Sequence, residues 1–98
     1  MKQVVVAGLA QNDINSIWEY LIEEVGSFEA ADAWREQIND GIQMLAVTPG
    51  IGHYRLQLAE PPVRFWRIGR YMVVYRELPD RILVSRVLHE ARDLENWA

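Results

Sequence analysis

Arginine is concentrated in one stretch of this 98-residue chain, residues 64–93. Seven of the nine arginines lie there, at Arg64, Arg67, Arg70, Arg76, Arg81, Arg86 and Arg92. A guanidinium group presents five donors in a planar fork, which suits it to carboxylates, phosphates or an anionic partner. The stretch therefore predicts a surface that grips an anion or a partner protein.

The segment His89-Glu90-Ala91-Arg92-Asp93 is the best candidate for acid–base chemistry. A histidine can exchange protons near neutral pH, and an arginine can hold an anion beside it. A structural interpretation competes with this one. In it, His89 bonds to backbone at a strand end, and Arg92 pairs with Asp93 or a neighbouring carboxylate. We favour the structural interpretation and predict no catalytic residue.

Other chemistries lack the residues that they need. The chain has no cysteine, which excludes thiol nucleophiles, disulfides and thiolate metal sites. Its two histidines, His53 and His89, form no zinc-binding motif, and the PGIG segment lacks the lysine of a phosphate-binding loop. A row of acidic residues at Asp32, Glu36 and Asp40 indicates a solvated helix face. We therefore predict no metal and no cofactor.

The charge of the chain limits the classes of binding partner, and its hydropathy limits the cellular location. The net charge is −4 and Lys2 is the only lysine, which argues against direct nucleic-acid binding because such proteins usually carry a basic excess. The N-terminal apolar run is too short for a secretion signal or a membrane span. We expect a cytoplasmic protein with one domain, residues 1–98.

The first half of the chain predicts a strand and two helices. Residues 2–7 suit a strand buried on both faces, and Asn12 or Asp13 can cap a helix that ends at Gly26. Ser27 can cap a second helix that stops before Pro49. The short connection makes the helices an antiparallel hairpin. Within the second helix, we expect Gly41 to mark a close approach to the first.

The second half predicts three strands, at residues 63–68, 71–78 and 82–89, joined by short turns into an antiparallel meander. Simple alternation puts one set of residues of the last strand on one face and the next set on the other: Ile82, Val84, Arg86 and Leu88 against Leu83, Ser85, Val87 and His89. The helices should cover one side of the sheet, and a short C-terminal helix or a partner the other, with Trp97 docked onto the sheet. The fold is predicted to be α+β, in the order β-α-α-β-β-β.

Four segments in order resemble the ParE/RelE toxin superfamily, nearer to ParE. They are AQNDINSIWEYL at residues 10–21, LAVTPGIG at 45–52, GRYMVVYR at 69–76 and RVLHEARD at 86–93. The resemblance implies a two-helix hairpin on a small antiparallel sheet. It also implies the toxin of a type II toxin–antitoxin system, which inhibits DNA gyrase, takes part in plasmid stabilisation and forms a hetero-oligomer with a ParD-like antitoxin.

Two alternatives stay open beside the gyrase poison. The RelE branch implies a ribosome-dependent mRNA endoribonuclease, for which His89, Arg92 and Arg86 would be the catalytic residues. The fold could also serve as a binding module without toxicity. For the leading hypothesis, the predicted binding residues, facing antitoxin or target, are Arg64, Trp66, Arg67, Arg70, Arg76, Arg86, His89 and Arg92.

Overall fold

A computed structural model describes residues 2–97 of the chain. The elements follow in the order β1 (Gln3–Val6), α1 (Gly8–Tyr20), a π-helical turn (Leu21–Val25), α2 (Phe28–Val47), a 3-10 turn (Pro49–Ile51), β2 (Val63–Ile68), β3 (Tyr71–Glu77), β4 (Arg81–His89), α3 (Glu90–Asp93) and a second 3-10 turn (Leu94–Asn96). The predicted α+β order and the short C-terminal helix are confirmed. The end of β3 and the start of β4 differ from the prediction by one residue each.

The four strands form one sheet in the order β1-β4-β3-β2. Strands β2, β3 and β4 are an antiparallel meander, as predicted, while β1 pairs parallel to β4, from Gln3 opposite Arg81 to Val6 opposite Val84. The prediction that β1 is buried on both faces is wrong. It is an edge strand, so Gln3 is exposed and the following valines are only partly buried.

The first helix begins earlier than predicted, and the predicted cap at Asn12 or Asp13 is wrong. Ala7 still belongs to the sheet, since its N–H donates to Val84 O at 2.9 Å, and its own carbonyl accepts from Gln11 N at 2.9 Å. The chain therefore passes from strand to helix within one residue. No capping loop fits there, and no side chain caps the helix.

The connection between the helices follows the sequence signals closely. The last turn before the connection is π-helical. Gly26 ends this turn with a φ of 75°, a conformation that favours glycine. Ser27 then caps α2, because its Oγ accepts a hydrogen bond from Ala30 N at 3.1 Å. Both predicted roles are confirmed, and the two helices pack together on one face of the sheet.

The sheet carries a hydrophobic layer on each face. The helix-side layer includes Ala10, Ile14, Ile17, Ile38, Ile42, Leu45, Tyr71, Val73, Tyr75, Ile82, Val84 and Val87. The second layer consists of Phe65, Met72, Val74, Leu88 and Leu94, with Trp97 packed against it. The Trp97 ring meets the Phe65 ring edge to face at 5.7 Å, so the predicted docking of Trp97 onto the sheet is confirmed.

A β-bulge in β4 overturns the simple alternation predicted for that strand. Tyr75 pairs with Val84 and Val74 pairs with Arg86, which leaves Ser85 as the extra residue. Beyond the bulge the faces are exchanged, so His89 lies opposite Tyr71 on the helix side of the sheet.

The buried glycine of α2 makes its close approach to the sheet, so the predicted approach to α1 is wrong. A Cβ on Gly41 would overlap Ile68 Cδ1 and lie 3.5 Å from Trp66 Cζ3. Both neighbours belong to β2, and the missing side chain lets α2 lie close against this edge of the sheet. None of the described helices is long and apolar enough to cross a membrane.

Candidate binding site

The strand register divides the predicted binding residues between the two faces of the sheet. Arg64 and Trp66 lie on the helix side, because they pair with Tyr75 and Val73. Arg67 lies on the other side. The eight residues therefore do not share one continuous face.

Arg64 holds the loop between α2 and β2. Its Nη1 donates to Gly52 O at 3.0 Å, and its guanidinium carbon lies 4.2 Å from the centre of the Tyr54 ring. The same loop is fixed from below by Tyr75, whose hydroxyl donates to Pro49 O at 2.7 Å and accepts from Gly52 N at 2.8 Å. Burial raises the pKa of this Tyr75 hydroxyl. The Arg64 side chain is thus engaged within the chain.

Trp66 packs beneath α2 rather than standing free for stacking. It is partly buried against the helix-side core, where the missing side chain of Gly41 leaves room for its ring. One edge of Trp66 lines an open groove between α2 and β2, beside the exposed Met44.

Arg86 ties β4 to α1. Its Nε and Nη2 donate to the two carboxylate oxygens of Asp13 at 2.7 and 3.0 Å, and Val87 N donates to Asp13 Oδ2 at 3.0 Å. The hydrogen bonds that Arg86 donates to Asp13 raise the pKa of Arg86. Asp13, predicted as a helix cap, instead anchors the helix to the sheet.

The segment after β4 follows the structural interpretation proposed for it. His89 caps α3, because its Nδ1 accepts from Arg92 N at 3.2 Å. The carboxylate of Asp93 accepts from His89 N at 3.3 Å and from Arg92 Nε at 2.9 Å. This bond to Arg92 lowers the pKa of Asp93 and raises that of Arg92.

The three side chains named for a ribonuclease do not form a free catalytic group. Arg86 and Arg92 line one hollow of about 340 Å³, but Asp13 and Asp93 line it too and pair with them. An incoming phosphate would have to displace a carboxylate from either arginine.

A groove at the end of the sheet where β4 meets α3 encloses about 660 Å³. Its charged and titratable lining residues are Arg55, Arg67, Arg70, His89, Glu90 and Glu95. Arg67 Nε lies 2.8 Å from Glu90 Oε2, an ion pair without an aligned hydrogen bond. Arg55 belongs to the long loop before β2. No periodic pattern covers that loop, so no sequence pattern indicates that Arg55 lines the groove.

Arg70 and Arg55 are the two arginines of the groove without an ion pair in residues 2–97. Arg70 follows Gly69, whose φ of 61° turns the chain between β2 and β3, and its carbonyl accepts from Glu90 N at 3.0 Å. Within residues 2–97, no carboxylate oxygen lies within 4.0 Å of the Arg70 guanidinium.

A second hollow adjoins the groove on the helix side of the sheet. It encloses about 640 Å³, and it shares Arg70 and His89 with the groove. We call it the Arg70 hollow; its other lining residues are Ser16, Ile17, Tyr20, Leu21, Val25, Tyr71 and Arg92. No sequence pattern indicates the helix residues or Tyr71 as site residues, since only the bulge in β4 brings His89 to this side. Arg76 lies at the opposite end of β3, opposite Val63.

Metal chemistry finds no support in the part of the chain that the structure describes. There, no three His, Asp or Glu side chains converge in an arrangement that could hold a metal ion.

Comparisons with known proteins agree with this architecture. The family model described as "ParE toxin of type II toxin-antitoxin system, parDE" matches residues 4–94. A solved structure described as the chromosomal ParDE TA system from P. aeruginosa superposes with a TM-score of 0.78, at 18% sequence identity, over 91% of this chain and 96% of that chain. At this identity the likeness concerns the fold. No curated protein sequence matches the chain.

Proposed function

This chain belongs to the ParE toxin family of type II toxin–antitoxin systems, and we propose that it inhibits DNA gyrase by binding. In this proposal a cognate antitoxin of the ParD type silences the toxin by direct contact. Both steps are binding events, and neither requires this chain to make or break a covalent bond.

The engagement of the candidate catalytic residues carries the proposal. Cleavage of RNA needs a positioned acid or base and cationic groups free to stabilise charge on the phosphate. Arg86 is held by Asp13, and Arg92 by Asp93. His89 uses Nδ1 to cap α3. These contacts favour a binding protein over a ribosome-dependent nuclease.

Exposed apolar side chains support an antitoxin that covers much of the surface. The large exposed ones are Leu9, Tyr20, Val25, Phe28, Met44, Val47, Tyr54 and Leu56. A segment that folds on binding can cover such a dispersed set, because it wraps a larger surface than a compact partner. Since DNA gyrase acts on intracellular DNA, the proposal places this toxin in the cytoplasm.

Two parallel reactions test the proposal. The purified chain is added to a gyrase supercoiling assay and, separately, to ribosomes translating a defined message. We expect lost supercoiling with an accumulation of cleaved DNA, and an intact message. A cleaved message with unaffected gyrase would instead establish the ribonuclease. If neither reaction changes, and expression does not arrest growth, the chain is a binding module without toxicity.

A further inference from the structure

We propose that the Arg70 hollow binds an acidic side chain flanked by bulky apolar ones, presented by a peptide segment of the antitoxin. The choice of the antitoxin as the source of that segment rests on the proposed function. The chemistry of the segment rests on the hollow itself.

The wall of the hollow toward α1 is apolar. Ile17, Leu21 and Val25 line it, and at its rim the side chains of Tyr20 and Val25 are 50% and 58% exposed. Leu21 and Val25 begin and end the π-helical turn, a feature often found at functional sites. Such a wall takes up apolar side chains, since water is released when they are buried there.

The wall toward the sheet is cationic. Arg70 and Arg92 line it, and no Asp or Glu is among the lining residues. Arg92 is paired with Asp93, whereas Arg70 has no carboxylate partner in residues 2–97. Arg70 therefore has the free guanidinium that a carboxylate ligand would pair with.

An unpaired hydroxyl at the surface of the hollow is compatible with the same ligand. Tyr71 is only 9% exposed, and its hydroxyl makes no hydrogen bond to any atom of residues 2–97, although it lines the hollow. Burial raises the pKa of this hydroxyl, while the nearby charges of Arg92 and Arg70 lower it by less. The group stays protonated at neutral pH and can donate. Since no protein group accepts from this hydroxyl, it can donate to a carboxylate that enters the hollow.

Carboxylate and phosphate ligands share this chemistry, and the surroundings favour the carboxylate. The apolar wall offers nothing to a hydrated sugar–phosphate chain, and a chain of net charge −4 repels a polyanion at long range. One acidic residue between two apolar residues matches both walls.

The test uses the full-length chain and a defined probe, the blocked pentapeptide acetyl-Ala-Leu-Glu-Phe-Ala-amide. Isotope-labelled protein is titrated with millimolar peptide and followed by NMR. We expect saturable shifts at Val25, Arg70 and Tyr71. The same peptide with Gln in place of Glu should bind about tenfold more weakly, because a charge-assisted hydrogen bond is lost.

Variants separate the site from the fold. Arg70→Gln should weaken binding of the acidic peptide about tenfold, and Tyr71→Phe, which keeps the ring packed, about threefold. Arg81→Gln is the matched control, since Arg81 begins β4 at its other end and pairs with the exposed Asp80; it should bind like the wild type. Preserved NMR dispersion in each variant establishes that the fold is intact.

Three results would overturn the inference. They are no saturable shifts at these residues, equal binding of the Glu and Gln peptides, or tighter binding of a single-stranded RNA oligonucleotide at the same residues. The gyrase assay on the same preparation separates this failure from that of the proposed function. Inhibition of gyrase without peptide binding would contradict only the inference about the Arg70 hollow. Peptide binding with unaffected gyrase would contradict only the proposed inhibition of gyrase.

Discussion

Asp13 engages one of the clustered arginines, Arg86, within the chain, so that this guanidinium is not free for a ligand. Three donors, two from Arg86 and one from Val87 N, satisfy its carboxylate. Both side chains of the pair are largely shielded, at 28% exposure for Arg86 and 17% for Asp13. A pair so shielded is costly to break, because the remaining charge is left without its partner.

Replacing Asp13→Asn should therefore lower the free energy of unfolding by about 2 kcal/mol, since Arg86 loses its charged acceptor. Urea denaturation at neutral pH measures the loss. The matched control is Asp80→Asn, which breaks an ion pair of which Asp80 is 73% exposed. That change should cost less than about 0.5 kcal/mol. Equal losses in the two variants would contradict the anchoring role of Asp13.

The pair of Arg92 with Asp93 should make stability depend on pH in a defined direction. Because the pKa of Asp93 is lowered in the folded chain, its contribution is complete above the unfolded pKa of about 3.9. It is lost as the pH falls through the folded value. The difference in unfolding free energy between wild type and Asp93→Asn should thus be largest at pH 7 and shrink toward pH 3, in urea titrations at both. A difference that is the same at pH 7 and pH 3 would show that this ion pair does not make stability depend on pH.

At the scale of elements, the loop between α2 and β2 depends on a contact that only glycine permits. A Cβ at Gly52 would lie 2.7 Å from both the hydroxyl oxygen and Cε1 of Tyr75. The Tyr75 ring is fully buried and its hydroxyl is fixed by two hydrogen bonds, so it has no room to move.

Gly52→Ala should accordingly destabilise the chain by about 1–3 kcal/mol, the usual cost of overpacking a core. Gly50→Ala is the matched control two residues away, because a Cβ there meets nothing within 4 Å. It should change stability by less than about 0.5 kcal/mol. Thermal and urea unfolding of both variants provide the comparison, and a stable Gly52→Ala variant would show that Tyr75 is free to shift.

Elements with local signals could be predicted from the sequence. Gly26 ends one helix and Ser27 caps the next, each through a hydrogen bond to a residue within four positions. Their roles therefore depend on neighbouring residues only. The cap predicted at Asp13 failed because its partner, Arg86, lies 73 residues away and competes for the same carboxylate. A sequence pattern does not show such long-range competition.

The site was only partly predictable for the same reason. The bulge at Ser85 depends on the pairing of β4 with its neighbour, and alternation along one strand does not show it. That bulge carries His89 to the helix side, beside Tyr71, where the rings meet edge to face at 5.4 Å. The Arg70 hollow could not be recognised without this contact.

For the whole molecule, the charge distribution is consistent with protein partners. The net charge is −4, yet three arginines, Arg55, Arg67 and Arg70, line a common groove at one end of the sheet, where they outnumber Glu90 and Glu95. A basic site on an acidic protein favours a compact acidic ligand over a long polyanion, because long-range repulsion opposes the latter.

The central claim is that this chain acts by binding gyrase, and its stoichiometry tests this most directly. Supercoiling is measured at a fixed gyrase concentration while the toxin is raised from far below to well above it. We expect full inhibition only at or above one chain per gyrase, with any message added to the reaction left intact. Complete loss of supercoiling at a small fraction of one chain per gyrase would show turnover and would rule out inhibition by stoichiometric binding.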